Sequence, residues 1–200
     1  SRPAGAVPYR YATLALVSLV PVGTWTTEAW PPVLDLRNYR ELLSSPERLR
    51  PLGNSLWMAA VATLGALVLG LLAARTAARA RGRGERRSAN LLATLLALPW
   101  ALPGTVFAVA LASAWSVSQP WALRFVLVGT PAILPLAYLA RSLPLTGRAA
   151  IAGLQQLDPA LEEAAAALGA SRARTLLRVV LPLLYPALFA GAGIAFITAL

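Results

Sequence analysis

The sequence predicts an all-α fold, a polytopic membrane helical bundle, and three observations carry that prediction. Five apolar runs, each near the roughly 20 residues that cross a hydrocarbon core, lie at residues 9–26, 54–74, 89–115, 123–140 and 176–200. Hydrophobic residues fill 58% of the 200 positions and charged residues only 13%, outside the soluble globular range. The charges, 18 arginines against 8 acids, fall mainly between the apolar runs and form no polar domain.

The first run lacks a small-residue cleavage pattern after a short core, so it reads as a span and not as a removable signal peptide. The sequence starts at Ser1 and stops at Leu200 inside an apolar run, so it reads as a fragment. Residues 1–53 are expected to hold the first span and an extracytoplasmic loop, and residues 54–200 a transmembrane core. The third and fourth runs carry Pro99, Pro103, Pro131 and Pro135, which remove backbone donors and predict broken helices.

Orientation follows from arginine. Arg75, Arg79, Arg81, Arg83, Arg86 and Arg87 face only Glu85 between the second and third runs, which predicts a cytoplasmic loop there. Counting spans then places residues 27–53 outside, where four arginines meet Glu28, Asp35, Glu41 and Glu47, and residues 116–120 outside as well. The N-terminus with Arg2 and Arg10 falls inside, and residues 141–178 return to the cytoplasm as a long loop. Trp25, Trp30, Trp57, Trp115 and Trp121 sit near run ends, as interfacial anchors do, while Trp100 lies within a run and reads as packing beside Pro99.

The most informative stretch is in that last loop: Glu163-Ala164-Ala165, three residues, Gly169, nine residues, then Val179-Val180-Leu181-Pro182. Asp158 caps a helix whose first turn takes Pro159, and Glu162 and Glu163 add negative charge where the helix dipole favours it. Gly169 supplies the left-handed residue that ends it, and Ser171 caps the next helix. The predicted helix has roughly ten residues, about 15 Å. On a wheel Leu157, Leu161, Ala165 and Leu168 form one stripe while Glu163 points away. Such a helix suits a partner's groove, with its acidic spot pairing to a basic side chain.

Several function classes are excluded by what the residues provide. A nucleic-acid module needs a water-soluble basic body, and there is none. Cysteine and histidine are absent, which removes thiolate frameworks and the usual ligands of intramembrane metalloenzymes, so no metal or cofactor is expected. No span holds an Asp, Glu, Lys or His at depth, which argues against ion-driven secondary transport. Tyr138, Thr130 and Thr105 offer oxygens but read as packing residues.

The Glu-Ala-Ala, Gly and aliphatic-x-Leu-Pro spacing resembles the signature of permease subunits of binding-protein-dependent ABC importers, with Val179 where the family usually has Ile. Asn54-Ser55-Leu56 and Leu98-Pro99-Trp100-Ala101-Leu102-Pro103-Gly104 fit the same family. Arg141-Ser142-Leu143-Pro144 together with Leu157-Asp158-Pro159 and Leu168-Gly169-Ala170-Ser171 is most similar to the iron(III) importer permeases. The resemblance implies the type I importer (MetI-like) fold, here five spans of a six-span unit, in a bacterial inner membrane. It also implies a coupling helix at residues 159–168 that docks on a cytoplasmic ABC ATPase dimer through Asp158, Pro159, Glu162, Glu163, Ala164, Ala165, Gly169, Ser171 and Pro182. Further implied partners are a solute-binding protein and a second permease half, in the same chain or another. No catalytic site is expected, and iron(III) is the implied cargo, with thiamine, phosphonate, sulfate and polyamine as alternatives.

Overall fold

The structure is a computed structural model that describes residues 6–21, 34–118 and 125–200, the first five of them by backbone alone. Arg2, Trp25, Glu28, Trp30, Trp121, the end of the first predicted span and the start of the fourth lie outside the described residues. All regular structure among the described residues is helical, and the chain divides into two compact units, Ser1–Asn54 and Ser55–Leu200.

In the first unit, α1 (Ala6–Ser18) is followed by α2 (Arg37–Ser44). The last carbonyls of a helix have no intrahelical partner, and here the Asn38 amide serves that end of α1 by donating to the Ser18 and Val20 carbonyls at 3.0 and 2.7 Å. Tyr39 adds a hydrogen bond to the Ser18 hydroxyl at 2.6 Å. Residues 27–53, expected as a loop, are thus helical over Arg37–Ser44 and again from Pro46. The expected charge matching is local there. Glu41 takes hydrogen bonds from Arg37 and then Arg48, at 2.8 and 3.1 Å, which hold its carboxyl below the ordinary range.

The second unit contains most of α3 (Pro46–Gly82), then α4 (Arg86–Ala101), α5 (Gly104–Ala114), α6 (Ile133–Gln156), α7 (Pro159–Ala167), α8 (Arg172–Thr175) and α9 (Leu181–Ala199). A turn of π-helix, Leu176–Val180, joins α8 to α9. Two of these helices are long and apolar enough to cross a membrane, α3 and the continuous Arg172–Ala199 segment. The pair α4 and α5 makes a third crossing if its 102° bend at Leu102-Pro103 is one broken span. That break is where the prolines predicted it, although Pro99 itself stays inside α4. Helix lies in each of the five predicted segments, but α1 and α6 do not meet the same length and hydropathy test.

Two expected loops prove to be helix. The arginine-rich stretch continues α3 as far as Gly82, and only a tight turn around Gly84, at φ +81°, separates it from α4. In that turn Arg83 holds the Glu85 carboxyl below its usual range through a 2.8 Å hydrogen bond. The loop expected to begin at residue 141 begins instead after Gln156, because α6 runs on through Arg141 and the buried Pro144. Arginine and alanine favour helix, so a cluster of charge marks polarity and not a chain break.

Small residues bring these helices together, as expected where lipid removes any hydrophobic drive between spans. A Cβ on Gly191 of α9 would come within 2.5 Å of the Ala149 Cβ of α6. Gly70 of α3 likewise leaves room for the Gly147 backbone, where a Cβ would be 2.9 Å from its nitrogen. Beside it the buried Thr146 hydroxyl donates to the Ala66 carbonyl of α3 at 2.8 Å. Ala74, Ala150, Val180, Leu184 and Leu188 form the core nearest α7.

Candidate functional site

Local chemistry fixes both ends of α7. The Asp158 carboxylate accepts from the Ala160 amide at 2.9 Å, and Pro159 takes the first helical position, where its missing donor costs nothing. At the other end the Gly169 amide donates to the Ala166 carbonyl and the Ala170 amide to the Ala165 carbonyl, at 2.9 and 3.0 Å. This is the Schellman closure, and it needs the left-handed backbone that Gly169 supplies at φ +76°. Ser171 then caps α8 by accepting from the Arg174 amide at 3.3 Å. Pro182 falls in the first turn of α9, directly after the π turn.

The wheel prediction is only partly met. Of the stripe Leu157, Leu161, Ala165 and Leu168, Ala165 alone is buried, while Leu161 is 44% and Leu168 89% exposed. The outward surface of α7 therefore mixes leucine with Ala164 and Glu163, all exposed, and Glu163 makes no ion pair among the described residues.

The acid held within the chain is Glu162. Its carboxylate accepts from Arg75 Nη2 at 3.3 Å, a bond between α7 and α3. The Arg75 side chain is only 7% exposed and that of Glu162 46%. Arg75 Nε and Nη1 are buried without a partner among the described residues. A cavity of about 320 Å³ opens beside the pair, lined by Arg75, Leu157, Asp158, Glu162, Glu163 and Val180 among others. By charge alone Arg75 groups with the loop arginines. The available signal was its place as the first charge after an uncharged stretch, beside Ala74, Ala77 and Ala80, which allow a second helix to approach.

A second polar cluster lies farther along α6. Trp100 Nε1 donates to the Arg141 carbonyl at 3.1 Å, and the Arg148 guanidinium lies 5.9 Å from the centre of the Trp100 ring, so Trp100 ties α4 to α6. Trp100 is half exposed and helps line a cavity of about 250 Å³ with Tyr138 and Arg141. No grouping of three or more acids that could ligate a metal occurs among the described residues. Among the described residues the site offers an ion pair joining α7 to α3 and a cationic side chain beside the α6 cavity.

A multi-pass helical membrane protein with a short capped helix joining two long ones is the class that these features define. Residues 66–200 match the family of binding-protein-dependent transport system inner membrane components, and the chain belongs to that family, with its MetI-like fold. It is 34% identical over 185 residues, 92% of the chain, to the "Probable ABC transporter permease protein" of Sinorhizobium fredii. It is 37% identical over 97 residues to the "Ferric transport system permease protein" of Actinobacillus pleuropneumoniae, 48% of the chain. Over 102 residues, again 48% of the chain, it is 39% identical to the "Probable sulfate transport system permease protein" of Prototheca wickerhamii. The chain spans 32% of the Sinorhizobium protein, 13% of the Actinobacillus one and 40% of the Prototheca one.

Proposed function

We propose that this chain forms part of the transmembrane pathway of an ATP-driven importer in a bacterial inner membrane. It receives cargo from a solute-binding protein, pairs with a second permease half, and takes its motion from a cytoplasmic ABC ATPase dimer. The observation that carries the reading is α7 itself. Asp158 and Gly169 close both its ends, its outer surface presents Glu163 and Leu168, and Glu162 is tied to Arg75 of a 37-residue helix. A push on α7 is thereby delivered to α3 through the ion pair and to α6 and α9 through the chain, as alternating access requires. Asp158, Pro159, Glu162, Glu163, Ala164, Ala165, Gly169, Ser171 and Pro182 are the residues assigned to this coupling. The chain supplies no chemistry of its own, and hydrolysis belongs to the ATPase.

Iron(III) is the cargo we assign, supported by the similarity to ferric permeases and by the Arg141-Ser142-Leu143-Pro144 motif. Sulfate is the second reading, favoured by the similarity to sulfate permeases and by the cationic wall that Arg141 gives the α6 cavity. The coupling assignment is tested by single cysteines at Glu163 and Leu168, crosslinked in the full-length protein copurified with its ATPase. Crosslinks to the ATPase from both positions are expected. Crosslinks confined to cysteines in α2 would refute the assignment.

A further inference from the structure

We propose that Arg141, with the Tyr138 and Ser142 hydroxyls beside it, is an oxyanion-binding station within the membrane-spanning pathway, through which cargo passes as an anion or an anion-bearing complex. The proposal rests on the importer reading and narrows its cargo class.

Depth is the first argument. The α6 helix runs alongside α3 in a register set by three contacts: Leu139 fills the space beside Gly65, Thr146 bonds the Ala66 carbonyl, and Gly147 lies against Gly70. Arg141 is therefore level with the part of α3 near residues 65–70, inside the stretch 51–74 that carries no charge at all. α3 is one of the helices long and apolar enough to cross a membrane, so the register places Arg141 at the level of its apolar middle. A charged side chain at that level is costly, and its retention points to a pathway.

Arg141 is free of partners among the described residues. Its guanidinium makes no ion pair or hydrogen bond to any described residue, in contrast to Arg75. The group lies over Gly104, where a Cβ would come within 3.2 Å of Nη1, so a glycine at the break between α4 and α5 gives it room. The backbone behind it is pinned, because Trp100 holds the Arg141 carbonyl.

A cavity lies beside it. Its lining includes Tyr138, Arg141 and Ser142, with Leu145 and Thr198 closing other sides. The Thr198 hydroxyl donates to the Ile194 and Ala195 carbonyls, so the donors left for a ligand are the arginine fork and the Tyr138 and Ser142 hydroxyls. At about 250 Å³ the space is below the usual range of roughly 300–1,000 Å³ for drug-sized ligands. It suits a small tetrahedral or carboxylate oxyanion with attendant water. Arginine keeps its charge at every physiological pH, and its planar fork matches two oxygens of such a group. A bare cation would be repelled.

The test uses the full-length permease assembled with its ATPase and binding protein in proteoliposomes, with uptake of labelled sulfate and of labelled ferric citrate as separate arms. Saturable sulfate uptake identifies a free oxyanion as cargo, and uptake of ferric citrate alone identifies an anion-bearing complex; either supports the station. Arg141→Gln is expected to raise KM for the imported cargo about tenfold or more, and Arg141→Lys and Tyr138→Phe about threefold each, since charge or fork is kept in part. An unchanged KM in Arg141→Gln overturns the proposal, and if that variant does not assemble, unchanged values in both milder variants do the same. Tryptophan fluorescence of the assembled complex, titrated with sodium sulfate or citrate against chloride at equal ionic strength, decides the station independently of transport. A saturable response lost in Arg141→Gln supports it even if neither cargo is imported, in which case the cargo assignment fails and the station stands. No saturable response in the wild type overturns it.

Discussion

Arg75 and Arg141 occupy comparable places in the chain, each on a long helix and each absent from any expected span interior, yet the structure treats them in opposite ways. Arg75 is buried and bonded to Glu162 across two helices. Arg141 is exposed beside a cavity with no partner among the described residues. A buried paired charge fixes geometry, because removing one partner strands the other in a poor solvent. On the proposed reading, the unpaired Arg141 is the group left available to cargo. The contrast separates a joint from a recognition point, and both would be "arginine in a loop" to a reading of charge alone.

The joint is broken most severely by Glu162→Gln. Removing a partner from a fully buried pair costs about 3–5 kcal/mol. With Glu162 nearly half exposed, we expect a smaller loss of about 2 kcal/mol, seen as a lower unfolding midpoint of the purified protein. Glu163→Gln, on the open surface of the same turn, is expected to leave that midpoint within about 0.5 kcal/mol. Equal losses in the two variants would mean that the Arg75 bond contributes nothing. A smaller effect sharpens the same comparison. Asp158→Ala removes the cap of α7 and should cost about 1 kcal/mol, checked by the same melt, while Asp158→Asn should restore most of it.

Much of α7 was legible in the sequence because its signals are local. Asp158-Pro159 and Gly169 act on amides and carbonyls within a turn or two, so their residue types alone specify the helix ends. What the sequence misplaced depends on distant chain. Arg75 and Arg141 sit beside polar residues in sequence, and equating charge with loop ends both α3 and α6 too early. The burial of Arg75 follows from residues distant in sequence, Leu154, Leu157, Glu162 and Val180 among them, gathering around it, a tertiary event with no local mark. The exposure of Leu168 is a similar case, since a helical wheel gives the stripe but not which side the rest of the chain covers. The family and its fold were readable from spacing, whereas cargo was not, because the resemblance spans proteins named for ferric and for sulfate transport.

On the proposed reading α7 transmits the ATPase stroke as a rigid piece, and the ratio of ATP hydrolysed to cargo imported in proteoliposomes carrying Gly169→Val reports on that transmission. Valine at φ +76° is strained by roughly 1–3 kcal/mol, which opens the closure that sets the angle between α7 and α8. We predict that hydrolysis continues while import falls about tenfold or more, a cost of that size being one to two decades. Import at the wild-type rate with an unchanged ratio would contradict the account.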